Sequence, residues 1–274
     1  MLLSRVLTAA VLIPLVLLAI FKLPNSIFSL VWGAIILGGS WEWSNLAGYK
    51  NQGKRSVLVI ATAVALFVFM QAPVVLQNLL LWIACLGWLA ISISLFVFPV
   101  QLMARGYPTS LLTAVGFVVL VPAWYALSRL HGMENGAVHV AYFLFLIWIA
   151  DSAAYFAGRA FGKNKLAPTI SPGKTREGAL GAIAGTAVYA TVFGIFNEEL
   201  IFDFSAFILL SVVTVLFSIC GDLFESLAKR KRGIKDSGSI LPGHGGILDR
   251  VDSLLCAAPI YLVGLTLIGN GLNA

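Results

Sequence analysis

Charge is scarce in this sequence. Asp, Glu, Lys and Arg make up 11% of the 274 residues and hydrophobic residues 59%, whereas soluble domains carry roughly 25% charge. That shortage excludes an ordinary water-soluble domain and predicts a polytopic membrane protein. Cysteine is scarce too. Cys85, Cys220 and Cys256 stand in apolar context without CxxC spacing, so no disulfide framework is implied and the three read as packing residues. Of the three histidines, His131 and His139 flank a loop and read as polar edge residues, while His244 lies inside a charged segment.

What the chain does have is long apolar runs. Stretches near the ~20 residues of a bilayer crossing fall at 6–22, 26–44, 56–72, 75–98, 109–128, 138–158, 178–196, 204–225 and 251–269. The predicted fold is an all-α integral membrane protein, a polytopic bundle of about nine transmembrane helices. Residues 1–137 form its N-terminal part, and 138–274 a C-terminal part with two charged loops at 159–177 and 226–250. The first run has the look of a signal peptide, but Lys22, Leu23 and Pro24 follow it instead of a small-residue cleavage site, so it is read as a retained span. Glu42 interrupts the end of the second run. The seventh, GALGAIAGTAVYATVFGIF, is rich in small residues that permit close approach of helices, and it is expected inside the bundle.

Basic residues orient the bundle. With nine spans, all of the 18 Lys and Arg except Lys22 and Arg129 share one side, and Glu134, Glu198, Glu199 and Asp203 lie on the other. Lys and Arg excess marks the cytoplasmic side. The N-terminus and both charged loops are therefore expected in the cytoplasm, and the protein in the cell inner (plasma) membrane. Attraction to anionic lipid, worth ~1 kcal/mol per base, accounts for Lys50, Lys54, Arg55 and Arg105. It does not account for acids interleaved with bases in the last two loops.

In the first of these, Asp151 falls within an apolar run near the boundary, where a carboxylate costs roughly 2.5–3.5 kcal/mol and is usually functional or paired. A helix-packing hydrogen bond or an ion pair with Arg159 is the alternative. Beyond it, Ser171-Pro172-Gly173-Lys174-Thr175 reads as an irregular turn offering N–H groups, hydroxyls and a cation to an anion. It is not a Walker loop, because Pro168 stands where that motif needs glycine. The second loop is richer. Asp222, Glu225 and Ser226 share a helix face at its start, and Asp249 and Asp252 stand at i, i+3 at its end. Carboxylates at both mouths of a loop can hold a hard divalent cation such as Mg²⁺, which takes one or two carboxylates and completes its shell with substrate phosphates. Lys229, Arg230, Lys235 and Arg250 can neutralise phosphate charge. The plain alternatives are helix-dipole acids at 249 and 252, a topogenic basic run, and a glycine turn at Gly245-Gly246. His244 is either a ligand or proton relay, or a structural imidazole.

The run from Ser226 to Asp252, SLAKRKRGIKDSGSILPGHGGILDRVD, resembles the long signature of the phosphatidate cytidylyltransferase (CDP-diacylglycerol synthase) family. Gly221 to Ser226, the stretch from Asp151 to Arg159, and Ser171 to Thr175 fit as well, so the resemblance covers roughly 148–252. Ala228 departs from it where the family usually has a larger aliphatic residue. The resemblance implies the reaction of CTP with phosphatidate (phosphatidic acid) to CDP-diacylglycerol and pyrophosphate in phospholipid biosynthesis. It also implies Mg²⁺ with an added monovalent cation such as K⁺, an all-helical fold and a homodimer. It makes Asp222 and Asp249 metal ligands, with Asp151 and Asp252 as further candidates. Lys235 and His244 are expected in the catalytic set, and Ser171, Lys174, Thr175, Ser226, Lys229, Arg230 and Arg250 at the substrates. No nucleic-acid partner is expected.

Two rivals stay open at this point. A CTP-dependent polyprenol or isoprenoid kinase would transfer the γ-phosphate and release CDP. A cation-coupled transporter would use Asp151 and Asp222 as ion sites, but it favours charges near the midplane and internal repeats, and neither is apparent. The motif of phospholipid synthases that consume CDP-diacylglycerol is absent.

Overall fold

The computed structural model describes residues 2–197, 203–240 and 245–269, with side chains from residue 12 onward. In chain order the elements are α1 (Leu2–Lys22), α2 (Asn25–Leu46), α3 (Gln52–Gln71), α4 (Val74–Val97), α5 (Pro99–Ala104), α6 (Thr109–His131), α7 (Gly136–Phe161), β1 (Lys165–Ala167), β2 (Ser171–Thr175), α8 (Arg176–Phe196), α9 (Phe204–Lys231) and α10 (Leu248–Ile268). Local sequence places their starts. Pro24, Pro73 and Pro108 stand immediately before α2, α4 and α6, where a missing N–H removes no helical bond. Asn51 accepts from Gly53 N (2.7 Å) and Lys54 N (3.3 Å) at the head of α3. Thr175 accepts from Gly178 N (3.1 Å) at α8, and Asp203 from Ala206 N (3.0 Å) at α9; such caps satisfy N–H groups that the helix leaves open. The helix α10 has no cap of its own.

The chain is a predominantly helical polytopic membrane protein. Among the described residues α3, α4, α6, α7, α8, α9 and α10 are each long and apolar enough to cross a membrane. Two of the nine expected spans fall outside that set. The described side chains of α1 give only a shorter apolar stretch, Leu12–Lys22. The helix α2 has the length, 22 residues, but gives buried positions to Ser29, Ser40, Glu42 and Ser44. Glu42 does not end it, because its carboxylate is 1% exposed and turned into the protein.

The centre of the bundle is α6 and α10. Leu120, Ala123, Leu127 and Leu130 of the first and Leu255, Cys256, Ala257 and Tyr261 of the second are buried, and α9 lies along α10. Outward positions on α3 and α4, such as Ile60, Phe67, Val75 and Leu86, are exposed and apolar, as a lipid-facing surface requires. The position expected for the seventh apolar run is corrected. It forms α8, which buries only the stripe Gly178, Ala182, Thr186, Ala190 and Gly194 and exposes Leu180, Val188, Ile195 and Phe196. Its small residues serve one neighbour. A Cβ on Gly185 would stand 2.8 Å from Ala153 Cβ of α7, and one on Gly181 would overlap Ala157, so the two helices meet nearly backbone to backbone while α8's large residues face out.

A second correction concerns the first charged loop. Ser171–Thr175 is not an irregular turn but strand β2, antiparallel to β1 with Lys165 opposite Thr175 and Ala167 opposite Ser171. Ile170 at the bend is fully buried against Leu223 and Leu227 of α9, and this apolar anchor holds the ribbon over the end of the bundle.

Candidate active site

At the bundle end that carries β1 and β2, a cavity of about 510 Å³ opens between α7, α8, α9 and the ribbon. Its polar lining is Asp151 and Arg159 from α7, Lys174 and Thr175 from β2, and Asp222 from α9. Gly158, Gly173 and Gly178 leave the space open. Lys174 Nζ and Asp222 Oδ2 form an ion pair of 2.6 Å, with about a quarter and a third of each side chain exposed. The other oxygen, Oδ1, accepts from Ser226 Oγ at 3.2 Å. Asp151 is within electrostatic reach of both Lys174 and Asp222, and Arg159 is not its partner: Arg159 Nη1 donates to Tyr155 Oη at 3.3 Å. The cavity thus joins residues of the first charged loop to Asp222, near the end of α9 where the second begins. Thr175 reaches it while its hydroxyl oxygen caps α8.

Asp249 is held elsewhere. Its Oδ1 pairs with Lys229 Nζ at 2.6 Å, and Lys229 also pairs with Glu225 Oε2 at 2.9 Å. Its Oδ2 accepts from Ser237 N (2.9 Å), Ser237 Oγ (3.0 Å) and Gly246 N (2.8 Å). Glu225, 3% exposed, interacts with Asp252, which in turn is within electrostatic reach of Asp222. The two mouths of the loop are therefore joined through Lys229, Glu225 and Asp252, and not by direct opposition of Asp222 and Asp249. Of the other expected residues, Ser171 stands in β2 off the cavity lining, Arg230 and Arg250 are exposed at the ends of α9 and α10, and Lys235 is exposed in the loop. His244 lies outside the described residues.

One residue of this region had been read only as an interruption. Glu42, from α2, is buried beneath the second loop. Its Oε1 accepts from Ile247 N at 3.0 Å, and its Oε2 from Leu248 N at 2.8 Å and from Ser237 Oγ at 2.9 Å. It is the missing cap of α10, supplied across some 200 residues of chain. Gly238 and Gly246 permit the approach, since a Cβ on either would collide with the Glu42 carboxylate. The signal available in sequence was the acid itself, an ionisable group in an otherwise apolar run.

The donor set suits a hard cation in kind. Asp151, Asp222, Glu225, Asp249, Asp252 and Glu42 outnumber Lys174 and Lys229 in this region. Asp222 and Asp249 follow one pattern, each with one oxygen anchored by hydroxyl or amide donors and the other turned to a lysine ammonium at 2.6 Å. Among the described residues no three His, Cys, Asp or Glu side chains are disposed to hold a metal ion by themselves. Mg²⁺ does not require three, because it takes one or two carboxylates and leaves other positions to water and substrate phosphate.

Comparison with known proteins agrees with this chemistry. The phosphatidate cytidylyltransferase of Pseudomonas aeruginosa is 38% identical over 273 residues, 99% of each chain. That of Haemophilus influenzae is 39% identical over 280 residues, covering 95% of this chain and 97% of its own, and that of Thermotoga maritima 38% over 135 residues, about half of each. The profile described as cytidylyltransferase family matches residues 3–268, and the chain belongs to that family.

Proposed function

We propose that this chain joins CTP to phosphatidate, giving CDP-diacylglycerol and pyrophosphate. The observation that carries the reading is identity of 38–39% over nearly the whole chain to two enzymes named for that reaction. The protein is a nucleotidyltransferase of lipid metabolism. The phosphatidate phosphate, already ionised at neutral pH, attacks the α-phosphorus of CTP in line. The P–O bond to the β-phosphate breaks and pyrophosphate leaves, so no general base is needed. Such transfers depend on positioning and on stabilising charge.

Asp222 and Asp249 are the residues we assign to Mg²⁺, with Asp151 and Asp252 nearby. When bound, the ion neutralises and orients phosphate oxygens. Lys174 and Lys229, which pair with these carboxylates, would supply ammonium groups to phosphate oxygens of the nucleotide. Arg159 and Lys174 at the cavity, with Lys235 and Arg250 at the loop, neutralise the triphosphate and the leaving group. Asp151 keeps Lys174 oriented toward the cavity. An added monovalent cation, a homodimer, and placement in the inner membrane with this end toward the cytoplasm belong to the same proposal. The basic side identified by charge supports that placement.

The test is direct. Purified protein in detergent with Mg²⁺, base-labelled CTP and phosphatidate is expected to put cytidine label into the lipid extract and release pyrophosphate, and chelation of Mg²⁺ to stop both. Label moving from the γ-phosphate to lipid would replace this reading with a kinase. Neither product, together with ion flux in vesicles, would replace it with a transporter.

A further inference from the structure

A second cavity, of about 420 Å³, opens where the ends of α2, α5, α6 and α9 meet. Its lining holds Arg105, Lys231 and Arg232 and no acidic residue, whereas the first cavity balances Lys174 and Arg159 against Asp151 and Asp222. The two lie on different faces of α9. Lys231 is nine residues from Asp222, about half a turn away around the helix.

The three bases have different tasks. Lys231 is committed to structure: its Nζ donates to the carbonyls of Leu102 (2.7 Å), Met103 (3.3 Å) and Arg105 (2.5 Å) and lies 4.6 Å from the Tyr107 ring centroid. It ties α5 and the chain beyond it to α9. The guanidinium groups of Arg105 and Arg232 make no ion pair or hydrogen bond among the described residues. Arg232 reaches toward the start of α6. A Cβ on Gly48, which has φ of +104°, would stand 4.0 Å from Arg232 Nη1 and 3.3 Å from Thr109 Oγ1. No side chain caps α6, so the first N–H groups of that helix add partial positive charge on the same side. Positive charge at this bundle end could act through lipid attraction alone, but a basic run set for topology needs no concave, acid-free surface around it.

The surroundings say which anion fits. Leu46, Leu112 and Ala228 give the cavity an apolar wall. The neighbouring α5 buries none of its residues, and Phe98 and Val100 at its start are 51% and 63% exposed. A short helix with outward apolar residues between two membrane spans is suited to the headgroup layer. We propose that this cavity binds the phosphate of an anionic lipid headgroup at a site separate from the reaction centre, with Arg105 and Arg232 as the charged ligands.

The test uses the full chain in zwitterionic detergent and dioctanoyl phosphatidylglycerol, which is not a substrate, with binding read by native mass spectrometry. The double variant Arg105→Gln, Arg232→Gln is expected to weaken binding about tenfold or more, the effect of losing charge-assisted bonds. Arg232→Lys is expected to fall between, because it keeps the charge and loses the fork. Lys174→Ala, in the first cavity, is expected to leave this binding in place. Displacement by millimolar inorganic phosphate would identify the phosphate alone as sufficient, and failure to displace would identify the headgroup with its apolar neighbour; either result supports the site. Equal binding by the double variant and the parent, equal binding of phosphatidylcholine, or loss of binding in Lys174→Ala alone would overturn it. Because the readout is binding and not turnover, its failure is distinct from failure of the proposed reaction.

Discussion

Asp222 and Asp249 have the same environment in outline: one oxygen held by neutral donors, the other against a lysine at 2.6 Å. Replacing either by Asn keeps the size and an acceptor but removes the charge. Asp222→Asn and Asp249→Asn are each expected to lower kcat at least about 100-fold with unchanged helical circular dichroism; near-normal turnover would end their assignment to the metal. Glu42 has a different role. It lines neither cavity but caps α10 and holds Ser237, which in turn holds Asp249. Glu42→Ala leaves the Ile247 and Leu248 N–H groups unsatisfied, at about 1–3 kcal/mol each, while the Ser237 hydroxyl keeps Asp249 as its acceptor. It is expected to lower the thermal midpoint in detergent and kcat together, with Glu42→Gln between the two. The chemical types of the site were legible residue by residue, because a carboxylate in an apolar chain has few neutral explanations. The partner of each was not, since Lys174 meets Asp222 and Lys229 meets Asp249 only once α9, α10 and the ribbon have met.

Among the elements, the seam between α7 and α8 decides the shape of the first cavity. Gly181 is the tightest point, where a side chain would overlap Ala157. Gly181→Leu is expected to force the helices apart, destabilise the protein by about 1–3 kcal/mol and reduce turnover. Leu180→Ala, one residue away on the exposed face, is expected to change the thermal midpoint little. The apolar runs and their proline and Asn, Asp or Thr borders made the helices readable, because length and capping are local properties. Two features were not local. The side that α8 presents depends on which neighbour accepts its glycines, so small residues were read as central when they serve a single contact. The ribbon β1–β2 depends on Ile170 finding a pocket on α9, and a five-residue segment with Pro and Gly in it gives no alternation to announce a strand.

For the whole molecule, the basic bias predicts an orientation in the membrane, and that orientation can be measured through cysteine. The native Cys85, Cys220 and Cys256 are all buried, so a single introduced thiol can be followed. With the site toward the cytoplasm, Glu134→Cys is expected to react with a membrane-impermeant thiol reagent in intact cells and Lys163→Cys only after lysis; both positions are exposed. The reverse pattern would turn the bundle over. The sequence by itself determined that the chain is a helical membrane protein, which end gathers its charge, and which family signature that charge carries, because hydropathy, charge bias and motif spacing are written along one dimension. Only the tertiary structure decided that Asp151, Lys174 and Asp222 share a cavity, that Asp249 is held in a network built on Glu42, and that a second cavity, whose charged residues are all basic, lies on another face of α9. Each depends on a close approach between helices distant in sequence, and such approaches are set by the shapes of both partners at once.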